Sequence, residues 1–216
     1  MSTFICFLYI DKEWSQTDDL LLHLLPPSRK HTVESFYYDS DKLLSMYSAL
    51  LLSYMLETYY QVNDALHCIT WIKNRKPQLN TFPNIDFSFS HTKGAILCGI
   101  TDNNTIGVDI ELTNDPPFEI MPLVFHPNEI HYINNSNFSK EQAFFEIWTQ
   151  KEAYTKKNCT GLSNDIITIN TLSPLLAHFK TWSYKNYTCS ICQEISSTIY
   201  YFDISISNIE KYFLHI

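Results

Sequence analysis

The stretch Ile106-Gly107-Val108-Asp109-Ile110-Glu111 reads as a β-strand that sorts its side chains by face. Successive strand residues point to opposite sides, so Val108 and Ile110 share an apolar face while Asp109 and Glu111 share the other. Two adjacent carboxylates repel unless water or a cation screens them. The pair is therefore either the solvent face of an edge strand or part of a cation site. Hard oxygen ligands of this kind select Mg²⁺ or Mn²⁺ over zinc.

Outward from that strand, Ala95 to Thr101 forms another, and the turn chemistry of Asp102-Asn103-Asn104 predicts that the two make a mid-chain hairpin. Upstream strands are expected at Phe4 to Ile10, Cys68 to Trp71 and Asp86 to Ser90, with a turn at Arg75-Lys76-Pro77. A short helix from Leu20 should stop at Pro26-Pro27. A long helix opens at Asp41, and from Leu43 to Tyr59 apolar residues occupy almost every side of its wheel, the mark of a buried central helix. Downstream come a helical region near Pro122 to Ile133 and a long helix from Lys140 to Lys157. Strands follow at Ile166 to Asn170, Phe179 to Cys192 (with a break) and Thr198 to Ile206. Helix plus small sheet occurs twice, which predicts an α+β fold of two similar halves, residues 1–105 and 106–216.

With 216 residues and 45% hydrophobic content, the chain can bury a substantial core, and four glycines and nine prolines leave no linker-like stretch. Residues 1–10 lack a basic segment, and Asp11, Lys12 and Glu13 interrupt the apolar run, so they read as a strand rather than a signal peptide. No run approaches the roughly 18 apolar residues of a membrane span. A cytoplasmic protein without a membrane partner is expected. Cysteines at 6, 68, 98, 159, 189 and 192 lie mostly in apolar stretches and read as reduced thiols. Cys189 and Cys192, three apart on a strand, point to opposite faces and do not form a redox or zinc motif.

The net charge is −8, with eight basic against eleven acidic residues in 1–105 and seven against twelve in 106–216. Both halves are acidic, which argues against nucleic acid as a partner, because binding a phosphate backbone depends on clustered lysine and arginine. The small basic groups Arg29-Lys30, Lys73/Arg75/Lys76 and Lys151/Lys156/Lys157 suit a polyanionic small molecule better than a duplex.

Two further constellations carry chemistry. In Trp148-Thr149-Gln150-Lys151-Glu152-Ala153-Tyr154-Thr155-Lys156, Glu152 and Lys156 lie one helical turn apart, the spacing of a surface ion pair or of a third carboxylate beside a cation. Phe87-Ser88-Phe89-Ser90-His91-Thr92 is an alternating strand ending in groups that can hold phosphate oxygens. Ser90 and His91 point opposite ways, which argues against a hydrolase pair.

Taken in order and spacing, these three motifs resemble the surfactin-synthetase-activating type of 4′-phosphopantetheinyl transferase, and the resemblance extends over roughly residues 26–163. It implies two α+β halves with pseudo-twofold symmetry and the active site in the cleft between them. It further implies holo-acyl-carrier-protein synthase chemistry: the phosphopantetheine arm of coenzyme A is moved to a serine of an apo acyl or peptidyl carrier, with release of 3′,5′-ADP. Carriers of peptide or polyketide synthetases are the partners expected for a monomer of this length. By resemblance, Asp109, Glu111 and Glu152 bind Mg²⁺, with Mn²⁺ as substitute. Arg29, Lys76, Ser90, His91 and Lys156 contact the anionic groups of coenzyme A. Glu152, Lys156 and His91 form the catalytic set, with Glu152 or a metal-bound water taking the serine proton and Glu129 a weaker candidate.

The chain departs from the family pattern at three places. An arginine and a glycine of the helix that begins near Asp41 are replaced by Leu44 and Ser48, Arg75 stands where the family has glycine, and Cys159 replaces a glycine after the second helix. These changes leave open a degenerate transferase that only docks carriers, and the D-x-E strand with a nearby lysine leaves open a metal-dependent phosphodiesterase or nuclease.

Overall fold

The computed structural model describes residues 1–72, 75–137, 139–161 and 164–216, so Lys73 and Leu162 lie outside the described residues. Its elements in order are β1 (Ser2–Tyr9), α1 (Gln16–Leu24), α2 (Pro27–Glu34), α3 (Asp39–Tyr60), α4 (Ala65–Cys68), β2 (Ile85–Thr92), β3 (Ala95–Asp102) and β4 (Ile106–Leu112). They continue with α5 (Met121–Val124), α6 (Pro127–Asn134), α7 (Lys140–Asn158), β5 (His178–Tyr184), β6 (Tyr187–Gln193), β7 (Thr198–Ile204) and α8 (Ile206–Leu214). The fold is α+β, as the sequence predicts.

Two antiparallel-rich sheets, β2-β3-β1-β7 and β4-β6-β5, stack face to face. Ile5, Phe7 and Leu97 of the first meet Val108, Ile110 and Ile191 of the second in the layer between them. On its outer face the first sheet packs α3, whose Met46, Leu50 and Met55 are buried with Cys6, Leu8 and Ile96. The outer face of the second sheet carries α7. Each fully buried aliphatic side chain contributes about 1.5–3 kcal/mol relative to exposure. The all-round apolar wheel of α3 thus reflects a helix covered by the sheet on one side and by α1, α2, α4 and α8 on the others. Across that cover, Lys12 bridges Asp18 of α1 and Glu210 of α8 at 2.8 and 3.0 Å, and the buried hydroxyl of Tyr47 on α3 donates to Asp18.

Several elements differ from expectation for local reasons. The expected hairpin of β3 with β4 does not form: the two strands belong to different sheets, and residues 103–105 cross between them. Both strands are apolar on the faces that meet, so β4 stacks over β3, and a Cβ at Gly99 would touch Ile5, Ile106 and Val108 at 2.8–2.9 Å. The true hairpin joins β2 to β3 through Lys93-Gly94, with Gly94 at φ +73°. Cys68 to Trp71 is not a strand. Ala65–Cys68 is a single helical turn, and of the following residues only Thr70 pairs, with Gln78. Ile166 to Asn170 is likewise no strand, since Asn164–Thr168 is a 3-10 turn whose Ile166 carbonyl, together with that of Ile169, faces the ammonium of Lys151. Pro26-Pro27 ends one helix and starts another, with Pro27 at the first position of α2, where its missing N–H costs nothing.

At the C-terminus, Ser205 caps α8, where a strand running to Ile206 is expected. β7 pairs in parallel with β1, and α8 packs on α1 and α3, so the last two elements join the first sheet although they follow residue 106 in sequence. The break in the expected strand at 179–192 is the β5–β6 turn, with Lys185 at φ 54°.

Candidate active site

The site forms where the edge strands β2 and β4 meet. Alternation along β2 sends Asp86, Ser88, Ser90 and Thr92 toward β4, while Phe87 turns to the α3 core. These four side chains replace the missing ladder. Asp86 Oδ2 accepts the Ile106 N–H at 2.8 Å, and Ser88 Oγ accepts the Val108 N–H at 3.1 Å. Ser90 Oγ donates to Asp109 Oδ1 at 2.8 Å and Thr92 Oγ1 to Glu111 Oε2 at 3.3 Å. Edge-strand amides that would otherwise lack partners are thereby satisfied.

The carboxylate face of β4 looks not at solvent but at α7. Gly107 permits this approach, since a Cβ there would lie 1.8 Å from the Ala153 carbonyl oxygen and 2.6 Å from the Lys157 nitrogen. The close contact brings the Glu152–Lys156 turn of α7 beside Asp109. Lys156 Nζ reaches Asp109 Oδ1 at 2.6 Å and Ser90 Oγ at 2.8 Å, and Trp148 Nε1 donates to Glu111 at 3.3 Å. Glu152 and Lys156 line a cavity of about 710 Å³, together with Ser88 and Phe89 of β2 and with Arg75 and Lys76 of the preceding loop. The Lys76 amine is held by Asp86 at 2.6 Å and by the Ile106 carbonyl at 2.9 Å.

The electrostatics show a shortage of positive charge. Burial, then the neighbouring Asp109, pushes the Glu111 carboxyl up to about 7, and the same two causes raise Glu152. Asp109 is almost wholly buried, and among the described residues its Oδ2 has no hydrogen-bond partner. One ammonium thus faces three carboxylates, one of which has an orphaned oxygen. This donor set fits a hard divalent cation in charge and chemistry. Among the described residues, however, no three acidic, histidine or cysteine side chains already converge as a cage, because Lys156, Thr92 and Trp148 engage the strand carboxylates.

His91 and Arg29 lie on the α3 side. His91 points away from Ser90, as alternation requires, and its Nδ1 lies 3.5 Å from Ser48 Oγ. Enclosure by the surrounding chain, then the charges of Lys156 and Arg29, hold its imidazole down to about 4, although part of the residue remains open to solvent. The buried Arg29 donates to the Ser45 carbonyl at 2.6 Å and lies 4.6 Å from the centre of the Trp71 ring. It makes no ion pair among the described residues, and burial lowers its pKa to about 10. Leu44 and Ser48 occupy the turn of α3 beside this group, and the Ser48 hydroxyl is returned to the Leu44 carbonyl at 2.7 Å.

Glu129 stands apart. It is fully buried, with Oε1 taken by the N–H and hydroxyl of Thr171 and Oε2 by the His126 N–H and Lys151. A carboxylate saturated in this way braces α6, α7 and the 166–171 loop and is closed to substrate. Ser88 and Trp148 escape the sequence reading as site residues, and Thr92, expected to hold phosphate oxygens, donates to Glu111. The polar alternation at 86, 88, 90 and 92 is the available signal for Ser88.

Fold and site together define an α+β protein with an acidic cluster and a lysine at the seam of two sheets. The chain belongs to the 4′-phosphopantetheinyl transferase superfamily, whose family model matches residues 105–214. That match contains Asp109, Glu111, Glu152 and Lys156, whereas Arg29, Lys76, Ser90 and His91 precede it. The chain is 27% identical over 158 residues to the 4′-phosphopantetheinyl transferase ffp of Bacillus subtilis, covering 72% of this chain and 70% of the relative. Over the same length and coverage it is 23% identical to 4′-phosphopantetheinyl transferase Sfp of Bacillus subtilis (strain 168). It is 29% identical over 175 residues to the L-aminoadipate-semialdehyde dehydrogenase-phosphopantetheinyl transferase of Schizosaccharomyces pombe, covering 70% of this chain and 67% of the relative.

Proposed function

We propose that this protein transfers the 4′-phosphopantetheine arm of coenzyme A to a serine of an apo acyl or peptidyl carrier protein, with Mg²⁺ bound and 3′,5′-ADP released. The observation that carries the reading is the cluster of Asp109, Glu111, Glu152 and Lys156 at one seam, in a chain of this superfamily.

Asp109, Glu111 and Glu152 would hold the metal, which when bound supplies positive charge at the pyrophosphate. Lys156, anchored on Asp109 and Ser90, offers a second positive charge at the same place, where charge develops on the phosphate oxygens as the serine attacks. Glu152 has a raised pKa and lines the cavity, so its carboxylate is the group to receive the serine proton. Arg29, which makes no ion pair among the described residues, lies beside His91, and Arg75 and Lys76 border the cavity, which suits the anionic groups of coenzyme A. Neutral at physiological pH, His91 can donate a hydrogen bond or take up a proton when a phosphate arrives.

The test is mass spectrometry of apo carriers from peptide, polyketide and fatty-acid systems after incubation with coenzyme A and Mg²⁺. One phosphopantetheine arm should be added to at least one carrier, and Glu152→Ala should abolish the addition. No gain on any carrier would leave a carrier-docking protein without activity. Unchanged turnover in the Glu152 variant would refute its assigned role.

A further inference from the structure

Lys76, Lys156 and Arg29 are held in place by different means. Lys76 is bound to Asp86 and Lys156 to Asp109, each at 2.6 Å, so both ammonium groups are already paired with a carboxylate. Arg29 is not. Among the described residues its guanidinium makes one hydrogen bond, from Nη2 to the neutral Ser45 carbonyl at 2.6 Å, and its buried Nε has no partner. With a pKa of about 10 it keeps its charge at neutral pH, although the residue is only 9% exposed. A desolvated charge without a counter-ion needs another source of stabilisation. Trp71 provides it: Arg29 Cζ lies over the face of the indole, 4.6 Å from the ring centre, where the quadrupole of the ring attracts a cation.

The indole also meets the rest of the site. Its ring centre is 6.1 Å from that of Phe89, which lines the cavity. The neighbouring Thr70 exchanges two backbone hydrogen bonds with Gln78, at 2.8 and 3.1 Å, and these close the loop that carries Arg75 and Lys76. Trp71 therefore stands between the α2 cation, the cavity wall and the base of the loop with the other two cations. Among the described residues its buried Nε1 has no hydrogen-bond partner, so the ring is placed by its faces and not by its polar edge. We propose that Trp71 is a positioning residue for coenzyme A that acts through Arg29: the indole fixes the guanidinium and leaves its positive charge free for an anionic group of the cofactor. A carboxylate in the same place would also hold the arginine, but it would compete with phosphate oxygens for the guanidinium N–H groups. This role rests on the transferase reading.

Calorimetric titration of the full chain with coenzyme A, alongside KM and kcat for transfer to a carrier, tests the role. Trp71→Leu keeps an apolar side chain against Phe89 and removes the π face, whereas Trp71→Phe keeps a face. Trp71→Leu should weaken coenzyme A binding and raise its KM about tenfold, the effect of one desolvated cation–π contact, with kcat unchanged. Trp71→Phe should restore most of the affinity. A double-mutant cycle separates the placing of Arg29 from support of the loop: in an Arg29→Met background, Trp71→Leu should cause no further loss, because no cation remains to be placed. Trp71→Met serves in the same cycle if the leucine variant does not fold. Equal affinity in wild type and Trp71→Leu overturns the role, as do losses that add in the double variant or a fall in kcat alone. A wild type that binds no coenzyme A overturns the transferase reading and the role with it, an outcome distinct from a wild type that binds and a variant that binds equally well.

Discussion

At the β2/β4 seam the two sheets meet through polar side chains, whereas at the β5/β7 seam they part over aromatic ones. The geometric problem is the same in both places, since each seam brings together the edge strands of stacked sheets. On the polar side Asp86 and Ser88 take the free amides of β4, and the next two alternating residues, Ser90 and Thr92, hold the carboxylates. On the other side Trp182, Tyr184 and Tyr201 line an apolar cleft of about 360 Å³ floored by Ile5, Phe7 and Leu97. Side-chain hydrogen bonds fix distance and direction, so the polar seam can hold charged groups in place. Aromatic packing does not specify direction in this way, and the apolar seam is left with an open edge. The difference explains why chemistry gathers at the polar side of the sandwich.

Closing the gap between α7 and β4 depends on Gly107, and Gly107→Ala should be the most damaging of the substitutions at these seams. The added methyl overlaps backbone atoms of α7, which cannot yield by rotating a side chain, at a cost of about 3 kcal/mol. Urea denaturation measures it, and a stability within about 0.5 kcal/mol of wild type would mean that the helix does not rest on the strand as described. Ser88→Ala tests the substitute ladder directly. It leaves the buried Val108 N–H without an acceptor and should cost about 2 kcal/mol in the same assay. At the opposite seam, Tyr201→Glu should change stability by no more than about 1 kcal/mol, because the residue is partly exposed and the Lys180 ammonium lies beside it. A larger loss there than at Ser88 would reverse the contrast between the seams.

Smaller still, because solvent at the exposed His91 screens its surroundings, is a slope with pH. His91 has a folded-state pKa of about 4 against an ordinary 6.5, so its contribution to stability is present above pH 6.5 and is lost as pH falls toward 4. Thermal melts between these limits should therefore decline less steeply in His91→Gln than in wild type. Parallel curves would show that neither enclosure nor the neighbouring cations disfavour the charged imidazole.

Much of the site was legible before the fold. Strand alternation alone put Asp109 and Glu111 on one face and turned Ser90 away from His91, and helical spacing put Glu152 beside Lys156. The buried nature of α3 followed from its all-round apolar wheel. The short apolar runs at 68–71 and 166–170 misled, because propensity does not reveal that no neighbouring strand is available or that a buried lysine will claim the carbonyls. Glu129 looked like a possible base, and only its four bonded partners show it to be a brace.

The sequence by itself determined which residues share a face, because the periods of strand and helix are properties of the local backbone. It determined the chemical types at the site as well, down to three carboxylates and a lysine. Tertiary structure alone decided which edges meet. β3 is buried on both faces, so its pattern says nothing about whether the following strand pairs with it or crosses to a second sheet. The bonds that settle the matter, from Asp86 to Ile106, Ser90 to Asp109 and Lys156 to Asp109, join residues far apart in the chain. Local propensity carries no record of such partners.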